Sequence, residues 1–226
     1  MLGFYNYTVL LTYASLVSAV VGIIISLTGK GHPFIGSFFL LFSGLCDAFD
    51  GKVARTKQNR SKTEMNYGIQ IDSLSDLVAF GVLPACIGAA MFRRLSIEKG
   101  HVTHTYTVLL FAVLAVYVLA AMIRLAYYNV TEEERQKDDS GVRKNYTGLP
   151  VTSASLIFPT VLLIHYLLPA DITPVYLAVM VFTAFLFLSK ISIKKPGLRG
   201  ILIMVAIGAV EFALLVVLNW IFGGRL

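Results

Sequence analysis

The sequence predicts an all-α integral membrane protein, a polytopic helical bundle of about six to eight transmembrane helices, with seven as the best count. Of the 226 residues, 57% are hydrophobic and 14% are charged, and the mean hydropathy is +0.75. Several apolar runs reach about 20 residues, the length of a membrane-spanning helix, and most charged residues lie between these runs. Together these features exclude a soluble globular domain.

The apolar runs and the polar breaks between them place each span. The first run is expected to be a retained span because no signal-peptide pattern precedes it. The second begins near Phe34 and is expected to continue as helix past Arg55. The second predicted span runs from about residue 34 into the first acidic pair, and the other six cover about residues 9–27, 67–92, 106–128, 149–168, 175–188 and 201–222. The predicted connectors are 29–33, 56–66, 93–104, the very hydrophilic 131–144 and the basic 189–199.

The distribution of basic residues predicts the orientation in the membrane. With Lys52–Lys62 placed in the cytoplasm, 13 of the 19 Lys and Arg residues fall on that side, 5 fall outside, and Arg124 stays within the bundle. We therefore expect a multi-pass protein of the cytoplasmic membrane with its polar site facing the cytoplasm. The net charge of +6 is explained by loops that face anionic lipid, so no nucleic-acid partner is expected.

Four of the 13 acidic residues lie close together at the boundary of the second and third spans. Asp47 and Asp50 are three residues apart, and Asp72 and Asp76 are four apart, so each pair occupies one face of a helix. Carboxylates in an apolar setting repel one another unless a cation neutralises them. Oxygen-only ligands favour a hard divalent ion, Mg²⁺ or Mn²⁺, and four of them suit two ions.

Small residues and one fixed cation accompany these carboxylates. Gly51, Ala54 and Gly68 leave room for a flat ring or a phosphate against the backbone. Arg55 is suited to binding a diphosphate. This combination indicates chemistry at phosphorus, in which one carboxylate takes a proton from the acceptor.

The segment Asp-x-x-Asp-Gly-x-x-Ala-Arg followed by Gly-x-x-x-Asp-x-x-x-Asp resembles the signature of the CDP-alcohol phosphotransferases, membrane enzymes that release CMP. The resemblance implies a core of about residues 6–190 in a single domain, 1–226, with 200–222 as an additional apolar span. It also implies a homodimer. The connector from Arg55 to Gly68 is longer here than in the usual pattern, and Lys57, Arg60 and Lys62 remain alternatives for contacting phosphate.

The resemblance also implies a role for each motif residue. The four aspartates would bind two metal ions, and Asp76 would be the general base. The residues expected to bind CDP-diacylglycerol are Asp47, Asp50, Gly51, Ala54, Arg55, Lys62, Gly68 and Asp72.

Two later segments bear on the acceptor. Arg124-Leu-Ala-Tyr-Tyr-Asn129 and Tyr146-Thr-Gly-Leu-Pro150 are similar to segments of the membrane-bound phosphatidylserine synthases. The resemblance implies transfer of a phosphatidyl group to the hydroxyl of L-serine. Arg124 is suited to the serine carboxylate, and the other expected pocket residues are Asn129, Tyr146, Thr152 and Ser153.

Three alternatives remain at this stage. A glycerol phosphate, an inositol phosphate or another alcohol would place the protein elsewhere in the same family. A divalent-cation transporter is a different class of protein, and it would need polar residues continuing across the membrane. Arg124 has the simpler interpretation of a side chain reaching the interface, and Tyr127 and Tyr128 that of an aromatic belt. No function is assigned to Glu211.

Overall fold

A computed structural model describes residues 3–29, 31–100, 103–138, 145–167 and 170–222. Within these residues the chain forms seven helices and one two-stranded sheet. The helices are α1 (Leu10–Leu27), α2 (Pro33–Ala54), α3 (Lys62–Asp76, continued through Leu77–Val82 and Leu83–Lys99), α4 (His104–Asp138), α5 (Ala154–Leu167), α6 (Thr173–Leu188) and α7 (Leu198–Phe222). The strands are β1 (Asn145–Thr147) and β2 (Ser192–Lys194).

The predicted fold class is confirmed. Five of the described helices, α1, α2, α3, α4 and α7, are long and apolar enough to cross a membrane. Helices α5 and α6 are apolar but shorter, with 14 and 16 residues. The protein is therefore a multi-pass membrane protein, built almost entirely from helices.

Several predicted boundaries were wrong. Helix α2 ends at Ala54, and Arg55 caps it, so the helix does not continue past Arg55. The connector is shorter than predicted, because Ser61 accepts a hydrogen bond from the Glu64 amide and starts α3 at Lys62. Helix α4 runs ten residues beyond Tyr128, to Asp138. The rest of the predicted hydrophilic connector, 139–144, lies outside the described residues.

Helix α3 changes its winding directly after the second acidic pair. Residues Leu77–Val82 form a π-helical segment, and Pro84 follows it. Because proline has no amide proton, it leaves the Phe80 carbonyl without its usual helical donor. The buried Tyr117 hydroxyl donates to that carbonyl at 2.7 Å, and Tyr176 donates to the Pro84 carbonyl at 2.9 Å. Helices α4 and α6 thus stabilise the irregular turn of α3.

Small residues bring α1 and α2 close together. The Ser43 hydroxyl donates to the Ser15 carbonyl at 3.0 Å, and the Ser15 hydroxyl donates to the Ser43 carbonyl at 3.4 Å. Gly36 of α2 lies so close to Ser26 that a Cβ atom there would be 2.0 Å from the Ser26 oxygen. Small side chains at helix interfaces allow this approach within membranes. The contact places Thr12 of α1 beside the acidic residues of α2.

The short sheet was not predicted. Strands β1 and β2 are antiparallel, with Tyr146 opposite Ile193. Gly148 follows β1 with a positive φ of 76°, and a Cβ atom there would be 2.7 Å from the Phe187 carbonyl. The Gly148 amide donates to the Ile191 carbonyl at 2.8 Å. The sheet therefore fastens the segment before α5 to the end of α6.

Candidate active site

The four predicted aspartates converge between α2 and α3. Asp47, Asp50 and Asp72 present carboxylate oxygens that all lie within 4.8 Å of one another. Asp76 is buried and lies beside Asp47. We refer to these four residues as the carboxylate cluster. Its oxygen-only ligands and their separation are compatible with a divalent metal ion.

Helix α1 contributes to the position of the cluster. The Thr12 hydroxyl donates to Asp50 Oδ2 at 3.3 Å. The Ser75 hydroxyl of α3 donates to the Thr12 carbonyl at 3.1 Å. Three helices are thus linked next to the carboxylates, which resists separation of α2 from α3.

A cavity of about 1020 Å³ lies against the carboxylate cluster. Its polar side includes all four aspartates, together with Gly51, Lys52 and Arg55. Its apolar side is formed by α2, α5 and α7 and includes Leu41, Phe42, Leu45, Leu156, Met204, Val205 and Phe212. Since one cavity joins charged and apolar surfaces, it can receive an amphipathic ligand such as a lipid with a charged headgroup.

A smaller cavity of about 180 Å³ lies on the other side of Asp50 and Asp72. It is lined by Gly51, Ala54, Arg55 and Gly68, which are the small residues and the arginine expected to surround the nucleotide. Asp50, Gly51, Arg55, Ile69 and Asp72 line both cavities. The structure therefore brings together the motif residues that were predicted from sequence, but around two adjacent cavities that share part of their lining.

The connector cations have distinct positions. Lys62 is exposed at the first turn of α3 and is not among the residues that line either cavity. Lys57 pairs with Glu64 at 2.7 Å. Arg60 lines the small cavity, and its Nε atom is buried without a hydrogen-bond partner in the described structure. The geometry thus favours Arg60, which sequence reasoning left as an alternative to Lys62.

Arg124 is buried in the bundle, with 7% of its surface exposed. Its Nε donates to the Leu149 carbonyl at 3.1 Å. The guanidinium carbon lies 5.0 Å from the centre of the Tyr128 ring and 5.9 Å from that of Tyr146. These contacts hold the Arg124 side chain within the bundle rather than extended away from it.

The five residues predicted to bind the acceptor all line the large cavity, namely Arg124, Asn129, Tyr146, Thr152 and Ser153. Asn129 donates to the Ser73 hydroxyl at 2.8 Å, which joins α4 to α3 beside Asp72. We refer to these five residues, with Tyr128 and Lys195, as the Arg124 pocket. Tyr127 is 58% exposed, as a belt residue would be, whereas Tyr128 faces the cavity.

Sequence reasoning missed two cations that line the large cavity. Lys195 follows β2, and its Nζ lies 5.6 Å from the centre of the Tyr146 ring. Lys52 lies two residues after Asp50, and its Nζ is buried without a hydrogen-bond partner in the described structure. The pairing of β1 with β2 places Lys195 here, and no sequence motif signals that pairing. Lys52 was detectable from its position beside Gly51.

The fold and the site define a polytopic membrane protein with a carboxylate cluster at the edge of an amphipathic cavity. The family profile of the CDP-alcohol phosphatidyltransferases matches residues 5–207. The chain therefore belongs to this family.

Curated relatives carry more specific names. The chain is 40% identical over 135 residues to a CDP-diacylglycerol–serine O-phosphatidyltransferase of Saccharomyces cerevisiae (58% of this chain, 43% of the relative). It is 26% identical over 176 residues to an enzyme of the same name from Helicobacter pylori strain 26695 (76% and 65%). It is 31% identical over 150 residues to an archaetidylserine synthase of Methanothermobacter thermautotrophicus (65% and 53%). The matches thus span between about two fifths and two thirds of the relatives. No solved structure matches.

Proposed function

We propose that this protein transfers the phosphatidyl group of CDP-diacylglycerol to the hydroxyl of L-serine, giving phosphatidylserine and CMP. The observation that carries the proposal is that the carboxylate cluster and the Arg124 pocket line one cavity. The names of the relatives support serine as the acceptor, because each contains serine although they differ in the lipid part.

The carboxylate cluster has the ligands for a divalent metal, with Asp47, Asp50, Asp72 and Asp76 as the residues that would hold it. We infer Mg²⁺ or Mn²⁺, and two ions, from the number of carboxylates and their oxygen-only chemistry. Bound metal would polarise the diphosphate and stabilise the leaving phosphate. Without cations, four adjacent carboxylates repel strongly.

We infer that the nucleotide of the donor binds at the small cavity, because the residues that line it suit a base and a diphosphate. Gly51, Ala54 and Gly68 keep large side chains off this wall of the cavity, and the guanidinium groups of Arg55 and Arg60 lie beside the two glycines. We infer that Arg55 and Arg60, which line this cavity, bind the diphosphate, with Arg60 in the role expected of Lys62. The lipid part of the donor would then extend into the apolar side of the large cavity.

The acceptor occupies the Arg124 pocket in this proposal. The guanidinium of Arg124 binds the serine carboxylate, while Asn129, Tyr146, Thr152 and Ser153 contact its remaining polar groups. The serine hydroxyl gives its proton to Asp76, and its oxygen bonds to the β-phosphorus. The bond between that phosphorus and the oxygen bridging to the CMP phosphate breaks, and CMP leaves. Because the serine oxygen attacks the phosphorus directly, no phosphoenzyme forms.

The structure offers no support for cation transport. Beyond Asp76, helix α3 continues with Ala79, Phe80 and Leu83, each with 0% exposure. These apolar side chains fill the core where a transport path would have to continue.

The proposed orientation places the carboxylate cluster on the cytoplasmic side of the cell membrane. This orientation rests on the distribution of Lys and Arg. The single domain over 1–226 and the homodimer remain predictions.

An acceptor panel tests the proposal. Purified protein is given radiolabelled CDP-diacylglycerol with Mg²⁺ or Mn²⁺ and either L-serine, glycerol 3-phosphate or inositol phosphate, and CMP and lipid products are measured. We expect CMP release and phosphatidylserine only with serine. Product formation with glycerol 3-phosphate or inositol phosphate, but not with serine, would assign a different acceptor within the same family.

A further inference from the structure

Glu211 is a buried acidic residue in the last helix, distant in sequence from the carboxylate cluster. It is 6% exposed and lies in α7, one of the helices able to cross a membrane. Its Oε1 is hydrogen-bonded to the hydroxyl of Thr160 on α5, and its Oε2 has no hydrogen-bond partner in the described structure. Acidic groups at such positions are costly and call for an explanation.

The hydrogen bonds around Thr160 indicate how Glu211 is held. Thr160 Oγ1 lies 2.8 Å from the Leu156 carbonyl and also contacts Glu211. A hydroxyl has one proton to donate. The Thr160 hydroxyl can therefore donate to Glu211 Oε1 or to the Leu156 carbonyl, and its contact with Glu211 links α5 to α7. Neither ion pair found in the described structure includes Glu211, so the hydrogen bond from Thr160 is the polar contact that holds it there.

The Glu211–Thr160 pair lies in the contact that attaches α7 to the bundle. The attached face carries Gly208, Glu211, Phe212 and Leu215, at the i, i+3, i+4 and i+7 spacing of one helix face. Gly208 approaches Leu156 of α5, Phe212 packs edge-on against Phe38 of α2, and Leu215 is fully buried. Most of the remaining surface of α7 is exposed. A single face therefore determines where α7 sits.

The same helix forms a wall of the large cavity. Ile201, Met204, Val205, Gly208, Ala209 and Phe212 of α7 line it. Leu41, Phe42 and Leu45 of α2 also line it, and Leu41 lies beside Gly208 of α7. Because this apolar surface belongs to the cavity that holds the carboxylate cluster, a ligand that fills the whole cavity needs an apolar part joined to the group that reacts there. An acyl chain of the lipid donor meets that requirement.

We propose that Glu211 and Thr160 form a positioning pair that sets the width of an acyl-chain groove between α2, α5 and α7. The inference rests on the proposed use of a lipid donor, but not on serine as the acceptor. The pair lies away from the reacting groups and acts through the position of α7. It should therefore govern affinity for the donor's chains, and leave the serine site and the chemical step unchanged.

The test compares Glu211→Leu, Thr160→Val and Glu211→Gln with the wild type, using CDP-diacylglycerol with dioleoyl or dioctanoyl chains in nanodiscs. We expect Glu211→Leu and Thr160→Val to raise the KM for the dioleoyl donor about threefold, the factor that an average interhelical hydrogen bond contributes in a membrane protein. The KM for the dioctanoyl donor, the KM for serine and kcat should stay within about twofold.

Two controls separate a positioning role from a general structural one. Glu211→Gln retains a side-chain oxygen that accepts the hydrogen bond from Thr160, and it should preserve the wild-type chain preference. Val210→Ala changes an exposed position of α7 and should have no effect. The proposal is overturned if both donors are affected equally, if Glu211→Leu and Thr160→Val are silent, or if Glu211→Gln behaves as Glu211→Leu does.

Failure of the serine assignment would give a different result. If the wild type uses another acceptor, the same donor comparison is made with that acceptor. If it releases no CMP at all, equilibrium binding of the two radiolabelled donors to the purified proteins gives the ratio of their dissociation constants. In each case a weaker preference for dioleoyl over dioctanoyl chains in Glu211→Leu and Thr160→Val supports the proposed role of the pair. An unchanged preference overturns it.

Discussion

The carboxylate cluster and the Arg124 pocket line the same cavity, but the chain builds them in different ways. The cluster comes from two consecutive helices, α2 and α3, and all four aspartates lie within a short stretch of sequence. The Arg124 pocket takes residues from α4, β1, the turn before α5 and the segment after β2. The cluster depends on helix periodicity, whereas the pocket depends on one small sheet and a glycine. This difference predicts unequal sensitivity to substitution.

The largest effect is expected at the cluster. Asp76→Asn removes the proposed proton acceptor while keeping the size of the side chain, so CMP release with serine should fall by roughly 10²–10⁴-fold. Donor binding should change little, because three carboxylates remain. CMP release and binding of radiolabelled CDP-diacylglycerol are measured in parallel. Activity retained within tenfold would remove Asp76 as the general base.

A smaller effect, confined to the acceptor, is expected in the Arg124 pocket. Arg124→Ala deletes a buried charged hydrogen-bond donor, which should raise the KM for serine about tenfold to hundredfold. The KM for the donor should stay within about threefold. Tyr127→Ala, at the exposed neighbouring tyrosine, is the matched control and should be silent. If Arg124→Ala alters donor affinity alone, the cluster and the pocket do not divide the substrates as proposed.

The connector cations provide a paired comparison within the donor side. Arg60→Ala should raise the KM for CDP-diacylglycerol about tenfold, the value of a hydrogen bond from a charged group. Lys62→Ala should change it by less than about twofold, because Lys62 is exposed and away from both cavities. Initial rates at varied donor concentration measure both. The reverse ranking would restore the assignment made from sequence.

The smallest expected effect on catalysis is at Gly148, where the sheet fastens the pocket. Gly148→Ala places a Cβ atom 2.7 Å from the Phe187 carbonyl at a residue with positive φ. The strain is of the order of 1–3 kcal/mol, and it should lower the midpoint of thermal unfolding in detergent. The KM for serine should rise a few-fold, with metal dependence unchanged. Gly100→Ala, also at positive φ but with open space around it, controls for backbone strain alone.

The sequence was most informative where function and local structure share one helix. Spacing predicted that Asp47 shares a helix face with Asp50, and Asp72 with Asp76, while the family resemblance implied that both pairs bind the same metal ions. The apolar runs predicted the class of fold, because runs of this length have few alternatives to membrane-spanning helices. Helix ends were predicted less well, as at Arg55 and Lys62, because a single capping serine decides where α3 starts.

The remaining features depend on contacts between distant parts of the chain. Lys195 reaches Tyr146 because β1 pairs with β2, and three-residue strands leave little periodic pattern to detect. The π-helical turn after Asp76 follows from Pro84, but its stabilisation by Tyr117 and Tyr176 needs the packed bundle. Glu211 was noticed as unusual in sequence, yet its partner Thr160 became apparent only in the structure.

The position of Asp50 and Asp72 between the two cavities has a consequence for how a reaction cycle ends. Asp50 and Asp72 line both the small and the large cavity. A molecule cleaved beside these two residues therefore leaves one fragment in each cavity. In the proposed reaction, the water-soluble fragment is left near the polar connector, and the fatty fragment is left beside α2 and α7. Each product then has its own exit, one toward the aqueous phase and the other sideways into the bilayer.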